Sequence, residues 1–202
     1  CGTTDIAIFT DGTIKHTAVI PIGSQMVTND IRIILCTSLN AAEEIKIQYG
    51  CVSLDTDTDV KIPIPSVSDK PDTETTRTIL SQIIAARVNE IFDAIQKEIS
   101  NSGYASKIRA GLVFTGGGAK LEGLDNFAES YFQKPSRIGS PKSIKGLEDL
   151  RGKTRYSTAV GLLLYRHKEL NLMSSKSKNT SKIGTMLDRY AKKLSDYFQK
   201  EL

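Results

Sequence analysis

Apolar residues in the first part of the chain follow strand-like spacing and then helix-like spacing. Residues 6–20 contain two short apolar runs separated by Asp11 and Gly12, a pair typical of the two-residue turn of a β-hairpin. Apolar positions then recur at helical intervals over residues 24–35, with Ser24 in the position of a helix cap. The pattern predicts a hairpin followed by a helix that Ser24 caps.

A second helix is predicted directly after the first. Asn40 can cap its N-terminus while Glu43, three residues later, completes a capping box, and Gly50 is placed to end it. Glu43 and Lys46 share a face of this helix, away from its apolar residues. The pattern alone leaves two interpretations of them open, a surface ion pair and a ligand-binding pair.

The middle of the chain combines short extended segments with one long helix. Residues 60–64 and 75–78 are extended segments among prolines and polar turns, and we expect a small sheet there. A helix is predicted from about Ile79 to Ser100, with charged residues away from its apolar stripe. The stripe consists of Leu80, Ile83, Ile84, Val88, Ile91, Ile95 and Ile99.

A run of three glycines is the most distinctive local feature. The apolar run 112–115 indicates a buried strand, and Gly116, Gly117 and Gly118 end it abruptly. Without side chains, such a turn lets a flat or charged ligand lie against backbone amides. Apolar positions over 121–131 predict a helix that begins close to the turn and points its N-terminus at the ligand. A tight strand–helix connection without a ligand is the alternative.

The last third of the chain changes from a folded pattern to a polar segment and then to an amphipathic one. Residues 135–141 are predicted to form an extended segment in which the chain returns from the preceding helix, and Ser157 is placed to cap a further helix. Residues 169–182 are rich in serine and lysine and predict a flexible linker, and residues 183–202 return to helical spacing. The apolar face of this last helix consists of Ile183, Met186, Leu187, Tyr190, Leu194, Tyr197 and Phe198.

Aromatic residues and flanking lysines favour a bilayer surface as the place where this amphipathic helix binds. Aromatic side chains suit headgroup depth, and lysines can extend from the interface to water. Docking on the chain's own folded part is the alternative, but a segment that only completes a core seldom needs a dozen polar residues of linker.

Composition and charge narrow the class of protein. Of the 202 residues, 39% are hydrophobic and 25% charged, which is ordinary for a folded domain. The net charge of +4 does not argue for a nucleic-acid partner. Cys1, Cys36 and Cys51 are odd in number and lack metal-ligand spacing, so we expect free thiols in a reducing compartment. No apolar run approaches the roughly 20 residues of a membrane-spanning helix.

The first residues offer a second candidate anion-binding turn. Gly2, Thr3 and Thr4 present backbone amides and two hydroxyls, and Asp5 after them can orient a water or a metal ion. A polar loop without a ligand is the alternative. Because the sequence opens on Cys1 and enters this turn at once, we expect it to be cut from a longer chain.

The order of these motifs resembles the second half of the actin-like ATPases, and among them the FtsA family of bacterial cell-division proteins. The motifs are Gly2-Thr3-Thr4-Asp5, the hairpin, Ala-Glu-Glu-Ile-Lys on the second helix, Thr115-Gly-Gly-Gly-Ala, and Tyr156-Ser-Thr-Ala-Val-Gly161. The resemblance implies an α/β fold, an actin-like (ribonuclease H-like) subdomain with an inserted small α+β subdomain. The implied division is 1–28 and 104–168 for the actin-like core, 29–103 for the insertion, 169–182 for the linker and 183–202 for a membrane-targeting helix.

The resemblance also implies ATP and Mg²⁺ as cofactors. By this resemblance, the family's phosphate loop corresponds to Gly2, Thr3 and Thr4, and its adenosine loop to Gly116, Gly117 and Gly118. The family's contacts with the ribose and the base correspond to Glu43 and Lys46. Cys1 departs from the pattern, since the family has a glycine there. The first half of the fold, with most Mg²⁺-positioning acids, is not in this sequence. We therefore expect at most a weak ATPase in the full-length protein, no catalytic residue in this segment, and poor nucleotide binding by the segment alone.

In function, the resemblance implies a scaffold that polymerises and tethers filaments of the tubulin-like protein FtsZ to the membrane. Such a protein lies peripherally on the cytoplasmic face of the inner membrane at the division site. The C-terminal peptide of FtsZ would dock on the inserted subdomain, for which Arg77, Arg87 and Glu90 are the candidates here, and other division proteins are possible partners. The alternatives are a pilus-assembly or shape-determining homologue, half of a DnaK-type or sugar-kinase ATPase, and an adaptor without nucleotide binding.

Overall fold

The computed structural model describes residues 2–52, 59–67, 71–141, 148–150 and 152–176. The chain forms two compact units, Cys1–Ile138 and Gly139–Leu202. The first unit contains a large hydrophobic core that three two-stranded sheets and four helices share among its described residues. This unit also contains every described residue for which the sequence predicts a binding role.

The first two strands form the predicted hairpin. Strand β1 spans Thr4–Thr10 and pairs antiparallel with strand β2, Thr13–Ile20. Asp11 and Gly12 have φ angles of 53° and 72°. Two consecutive positive φ angles are the requirement of a type I′ turn, so the Asp-Gly prediction is confirmed together with its physical reason.

Helix α1, Ser24–Ile34, confirms the first predicted helix but not its cap. The cap position is Gly23, which is buried and extended, with φ −152° and ψ −176°. Ser24 is already helical, and no side chain caps this N-terminus. Val27 and Ile31 face the core. The prediction failed at the cap because the residue before Ser24, Gly23, occupies the cap position.

Helix α2, Leu39–Tyr49, begins earlier than its predicted cap. The cap is Ser38, whose hydroxyl oxygen accepts a hydrogen bond from a first-turn backbone N–H at 3.1 Å. Asn40 therefore lies inside the first turn, and the predicted capping box is wrong because Glu43 instead bonds to other side chains. The predicted end at Gly50 is confirmed.

The small predicted sheet is present as one antiparallel pair. Strand β3 spans Lys61–Ile64 and strand β4 spans Thr73–Thr76. The second strand ends two residues earlier than predicted because the Thr76 hydroxyl oxygen accepts a hydrogen bond from the backbone N–H of Ile79 at 3.4 Å. Thr76 is thereby the cap of the long helix that follows.

The long helix α3, Arg77–Asn101, is the centre of the core. Six of the seven predicted stripe residues are buried, while Ile91 is only half-buried. Phe92, which the prediction omitted, is buried in its place. The aromatic rings within 4.9–5.8 Å of the Phe92 ring belong to Phe114, Phe127, Tyr131 and Phe132. The aromatic partners come from later parts of the chain, so helical spacing did not reveal this contact.

The glycine run joins a short parallel sheet to helix α4, Leu124–Phe132. Strand β5 spans Leu112–Phe114 and pairs parallel with strand β6, Ser136–Ile138. A single 3₁₀ turn, Gly118–Lys120, follows the glycines, and α4 begins only after Gly123, which has a φ of 77°. The helix predicted over residues 121–131 is therefore present, but it begins at Leu124 and not directly after the glycines.

The delay of α4 has a tertiary cause. The carbonyl of Glu122 accepts a hydrogen bond from the backbone N–H of Val52 at 2.9 Å, and Cys51 forms an isolated bridge with Glu122. These contacts hold the chain extended between the 3₁₀ turn and α4.

In the second unit, helix α5 spans Ser157–Lys176. Ser157, the predicted cap, is itself the first helical residue, with φ −54° and ψ −44°, and its hydroxyl donates to the carbonyl of Thr154 at 2.7 Å. The helix also runs through 169–176, where the sequence predicted a flexible linker. Good helix formers such as leucine, glutamate and methionine in that segment account for the difference. Residues 177–202, with the whole predicted membrane-targeting helix, lie outside the described residues.

Two general expectations concern cysteines and membrane spans. Cys36 is exposed and Cys51 is buried, and both are free thiols, as expected. Of the helices in the described ranges, none is long and apolar enough to cross a membrane.

Candidate functional site

The Gly-Thr-Thr turn is attached to the segment that leads into α1. The Thr4 hydroxyl donates a hydrogen bond to the carbonyl of Ile22 at 2.7 Å. Gly2 and Thr3 are exposed, and a Cβ on Gly2 would meet no atom within 4 Å. The turn is therefore fixed at one end and open to solvent at the other.

The glycine turn lies against the first residue of α1. Gly116 has a φ of 95°, which favours glycine, and a Cβ on either Gly116 or Gly117 would enter open space. A Cβ on Gly118 would lie 3.0 Å from Cβ of Ser24, tighter than ordinary van der Waals contact. A side chain at Gly118 would thus require Ser24 to shift by a few tenths of an ångström, whereas side chains at Gly116 and Gly117 would begin in open space.

Glu43 and Lys46 form one hydrogen-bonded group with Thr28. Lys46 Nζ lies 2.6 Å from Glu43 Oε2 and 2.8 Å from Thr28 Oγ1, and Thr28 Oγ1 lies 2.5 Å from the same Glu43 oxygen. Burial by itself raises the pKa of Glu43, but the hydrogen bonds from Lys46 and Thr28 and the charge of Lys46 outweigh it and lower that pKa. Glu43 is therefore held as a carboxylate.

The three segments meet at the beginning of α1. The Gly-Thr-Thr turn bonds to Ile22, the glycine turn packs on Ser24, and the ion pair bonds to Thr28, one helical turn further on. Near the beginning of α1 the molecule brings together helix amides without a side-chain cap, the exposed Gly117, an ammonium group and a carboxylate. Amides and ammonium groups suit phosphate, and a carboxylate accepts hydrogen bonds from hydroxyls.

Thr28 is the member of this arrangement that the sequence analysis missed. It is only 2% exposed, next to the core residue Val27. The available signal was a threonine on the apolar side of a predicted amphipathic helix, where a hydroxyl needs a buried partner.

All three candidate FtsZ contacts have intramolecular partners. Arg77 donates from Nε to the carbonyl of Tyr49 at 3.1 Å and from Nη2 to Glu122 Oε2 at 2.6 Å. Arg77 thus joins the first turn of α3 to the end of α2 and to the segment before α4.

Arg87 joins α3 to α1. Its Nε and Nη2 donate to the two oxygens of Asp30 at 2.5 and 2.9 Å, and its Nη1 donates to Glu90 at 2.5 Å. Hydrogen bonding to Asp30 raises the pKa of the Arg87 guanidinium above its usual value. The side chains of Arg87 and Asp30 are 20% and 19% exposed, whereas Glu90 is 59% exposed. The geometry assigns Arg87 to the interior contact and leaves Glu90 on the surface.

Metal ligands are sparse in this part of the molecule. Within the described ranges, no group of three or more His, Cys, Asp or Glu side chains is arranged to hold a metal ion. Asp5 is an exposed carboxylate directly after the Gly-Thr-Thr turn.

A family model described as Cell division protein FtsA matches residues 1–161 of the chain. The chain belongs to the FtsA family. It is 48% identical over 165 residues to Cell division protein FtsA of Pseudomonas aeruginosa, which covers 81% of this chain and 40% of that protein. It is 39% identical over 207 residues to the FtsA protein of Borreliella burgdorferi, which covers 99% of this chain and 48% of that one. The chain thus spans a little less than half the length of these FtsA relatives.

The solved structures confirm the predicted fold class. The crystal structure of MreB5 of Spiroplasma citri bound to ADP is similar with a TM-score of 0.68 at 18% identity, over 88% of this chain and 53% of that one. The fold is therefore actin-like, as the motif order predicted. Membership of the FtsA family also decides against the pilus-assembly, shape-determining, chaperone and sugar-kinase alternatives.

Proposed function

We propose that this chain is the nucleotide-binding and membrane-tethering half of a division scaffold that binds ATP, polymerises and attaches FtsZ filaments to the inner membrane. The protein acts on the cytoplasmic face of that membrane, at the division site. Membership of the FtsA family supports a role in cell division. The finer statements rest on the site at α1, on the sequence pattern of 183–202 and on the family resemblance.

The convergence of three separate segments on α1 carries the nucleotide proposal. Thr3 is exposed, and a Cβ on Gly116 or Gly117 would enter open space, so there is room beside these residues for phosphates and a flat base. Glu43 remains ionised and accepts from a ribose hydroxyl, while Lys46 supplies a cation. These segments are far apart along the chain, yet their contacts all fall within residues 22–28.

Mg²⁺ fits this proposal through the phosphates. Mg²⁺ in nucleotide sites usually takes one or two protein carboxylates, and phosphate oxygens and waters complete its shell. Asp5 is the carboxylate that this chain offers beside the Gly-Thr-Thr turn. The ion would neutralise phosphate charge when bound.

Direct measurement of ATP binding tests the nucleotide proposal. We expect the full-length protein to bind a fluorescent ATP analogue in the presence of Mg²⁺, and unlabelled ATP to compete for it. Failure to bind at millimolar concentrations would reject the proposal.

The membrane proposal rests on residues 183–202. Each apolar side chain that enters the bilayer interface contributes about 1 kcal/mol, so the apolar face contributes on the order of 6 to 8 kcal/mol, and ordering the helix costs a similar amount. One helix therefore binds weakly. Polymerisation compensates, because several joined copies bind with a high effective concentration.

Liposome flotation with anionic lipids tests this membrane anchor. We expect the complete protein to float and a version that ends at Lys182 to remain at the bottom. Leu187→Glu and Phe198→Glu should each lower the bound fraction about tenfold, because each places a charge in the apolar face. Lys192→Glu is a milder comparison, since it changes charge without removing apolar surface. Equal flotation of the complete and truncated proteins would contradict the proposal.

The FtsZ proposal rests on the family resemblance, with the inserted subdomain as the docking region. Each of the three candidate contacts is paired within the protein, but the side chains of Arg77 and Arg87 are only 19% and 20% exposed, so Glu90, at 59%, is the most exposed of the three. An acidic peptide would need basic groups beyond these three residues. Variants of Arg77 or Arg87 also remove contacts within the protein, so their stability must be measured together with FtsZ binding.

A further inference from the structure

The hydrogen bonds among Thr28, Glu43 and Lys46 have only one possible direction. An ammonium group only donates, and a carboxylate only accepts. Thr28 donates its one proton to Glu43 Oε2 at 2.5 Å, which is much nearer than the alternative acceptor, the Ser24 carbonyl, at 3.4 Å. It accepts from Lys46 Nζ, which also donates to Glu43 Oε2. The result is a closed ring of three hydrogen bonds.

This ring leaves the two oxygens of Glu43 in different situations. Oε2 receives two donors from within the protein, whereas Oε1 has no hydrogen-bond partner among the described residues. The Glu43 side chain is 46% exposed, while Lys46 is only 11% exposed and Thr28 is buried. The carboxylate thus has one oxygen held against α1 and one oxygen available to a ligand.

We propose that Thr28 is a positioning residue that holds Oε2 of Glu43 so that Oε1 accepts a hydrogen bond from a ribose hydroxyl, and that it thereby sets the preference for ribonucleotides over deoxyribonucleotides. The inference rests on the proposed nucleotide site. Discrimination follows because a deoxyribose leaves Oε1 without the hydroxyl donor that it is placed to receive. Without Thr28, Glu43 keeps only its contact with Lys46, three residues away on the same helix, and can rotate with it.

The substitution Thr28→Val separates positioning from packing. Valine has nearly the shape of threonine and fills the same buried space, but it cannot donate to Glu43. Thr28→Ser keeps the hydroxyl and loses only a methyl group. The matched control is Thr37→Val, since Thr37 is also buried (4% exposed) and donates to the carbonyl of Pro65 at 2.8 Å, away from Glu43.

The experiment compares the affinities of the full-length protein for ATP, 2′-deoxy-ATP and 3′-deoxy-ATP. We expect the unmodified protein to prefer ATP over at least one deoxy analogue by about tenfold, the usual effect of one partly exposed, charge-assisted hydrogen bond. Thr28→Val should weaken ATP binding by a similar factor and leave binding of that analogue nearly unchanged. The preference should survive in Thr28→Ser and Thr37→Val.

Each result has a definite meaning. If the unmodified protein binds ATP but Thr28→Val keeps the full preference, or if there is no preference to lose, the inference is overturned and the nucleotide proposal stands. If the unmodified protein binds no nucleotide, both the inference and the nucleotide proposal are rejected.

A second measurement, which needs no nucleotide, is the pKa of the Glu43 carboxyl by NMR titration. Thr28→Val should raise that pKa, and an unchanged value would also overturn the inference.

Discussion

Gly117→Val is expected to lower the affinity of the full-length protein for ATP by about 10- to 100-fold without lowering its stability. A Cβ at Gly117 meets no protein atom within 4 Å, and the backbone there is helical, with φ −66° and ψ −42°. Valine is therefore tolerated by the fold, but its side chain would occupy the space proposed for the nucleotide. Forcing a side chain into an occupied space typically costs about 1 to 3 kcal/mol, which corresponds to that loss of affinity.

The matched control for this prediction is Gly161→Val. Gly161 is exposed in α5, and a Cβ there also meets nothing within 4 Å. Competition binding with Mg²⁺-ATP and thermal unfolding should be measured on both variants. A Gly117→Val protein that is as stable as the control and binds ATP equally well would remove the glycine turn from the nucleotide site.

Arg87→Met is expected to lower the free energy of unfolding by about 3 kcal/mol. The substitution removes the bidentate partner of Asp30 and leaves a carboxylate that is 19% exposed between α1 and α3. Removing one member of a buried pair typically costs about 3 to 5 kcal/mol, and the partial exposure of this pair favours the lower end. Urea unfolding followed by circular dichroism measures the change.

Two further variants make this stability prediction specific. Arg87→Met combined with Asp30→Leu should recover most of the loss, because an apolar pair of similar size often replaces an ion pair without cost. Lys61→Met should cost less than about 1 kcal/mol, since the Lys61–Glu74 pair is exposed. If Arg87→Met costs no more than Lys61→Met, the Arg87–Asp30 contact does not stabilise the packing of α1 on α3.

The same variants decide whether Arg87 contacts FtsZ. A loss of FtsZ recruitment in Arg87→Met that the double variant restores would assign the loss to α1–α3 packing. A double variant that is stable but still fails to recruit FtsZ would assign Arg87 to the docking surface.

The candidate site shows which kinds of candidate residue sequence reasoning can find. Gly116 and Gly117 were identifiable because three consecutive glycines are rarely needed for packing alone. Glu43 and Lys46 were identifiable as a pair by helical spacing, but their common partner Thr28 lies on another helix, 15 residues from Glu43 in sequence. The sequence analysis also missed the carboxylate partners of Arg77 and Arg87, because these partners lie far away in sequence. Asp30, for example, is 57 residues from Arg87.

The amino-acid sequence by itself determined the features that depend on neighbouring residues. The Asp-Gly turn, the apolar stripe of α3 and the order of motifs that indicated the actin-like fold all arise from local backbone preferences and periodicity. Tertiary structure decided the features that depend on distant contacts: the late start of α4, held by the bond between Val52 and Glu122, the place of Phe92 in the aromatic cluster, and the meeting of three segments on α1. The physical reason is that local preferences differ by little more than 1 kcal/mol per residue, so long-range hydrogen bonds and burial can decide where an element ends and which side chains meet.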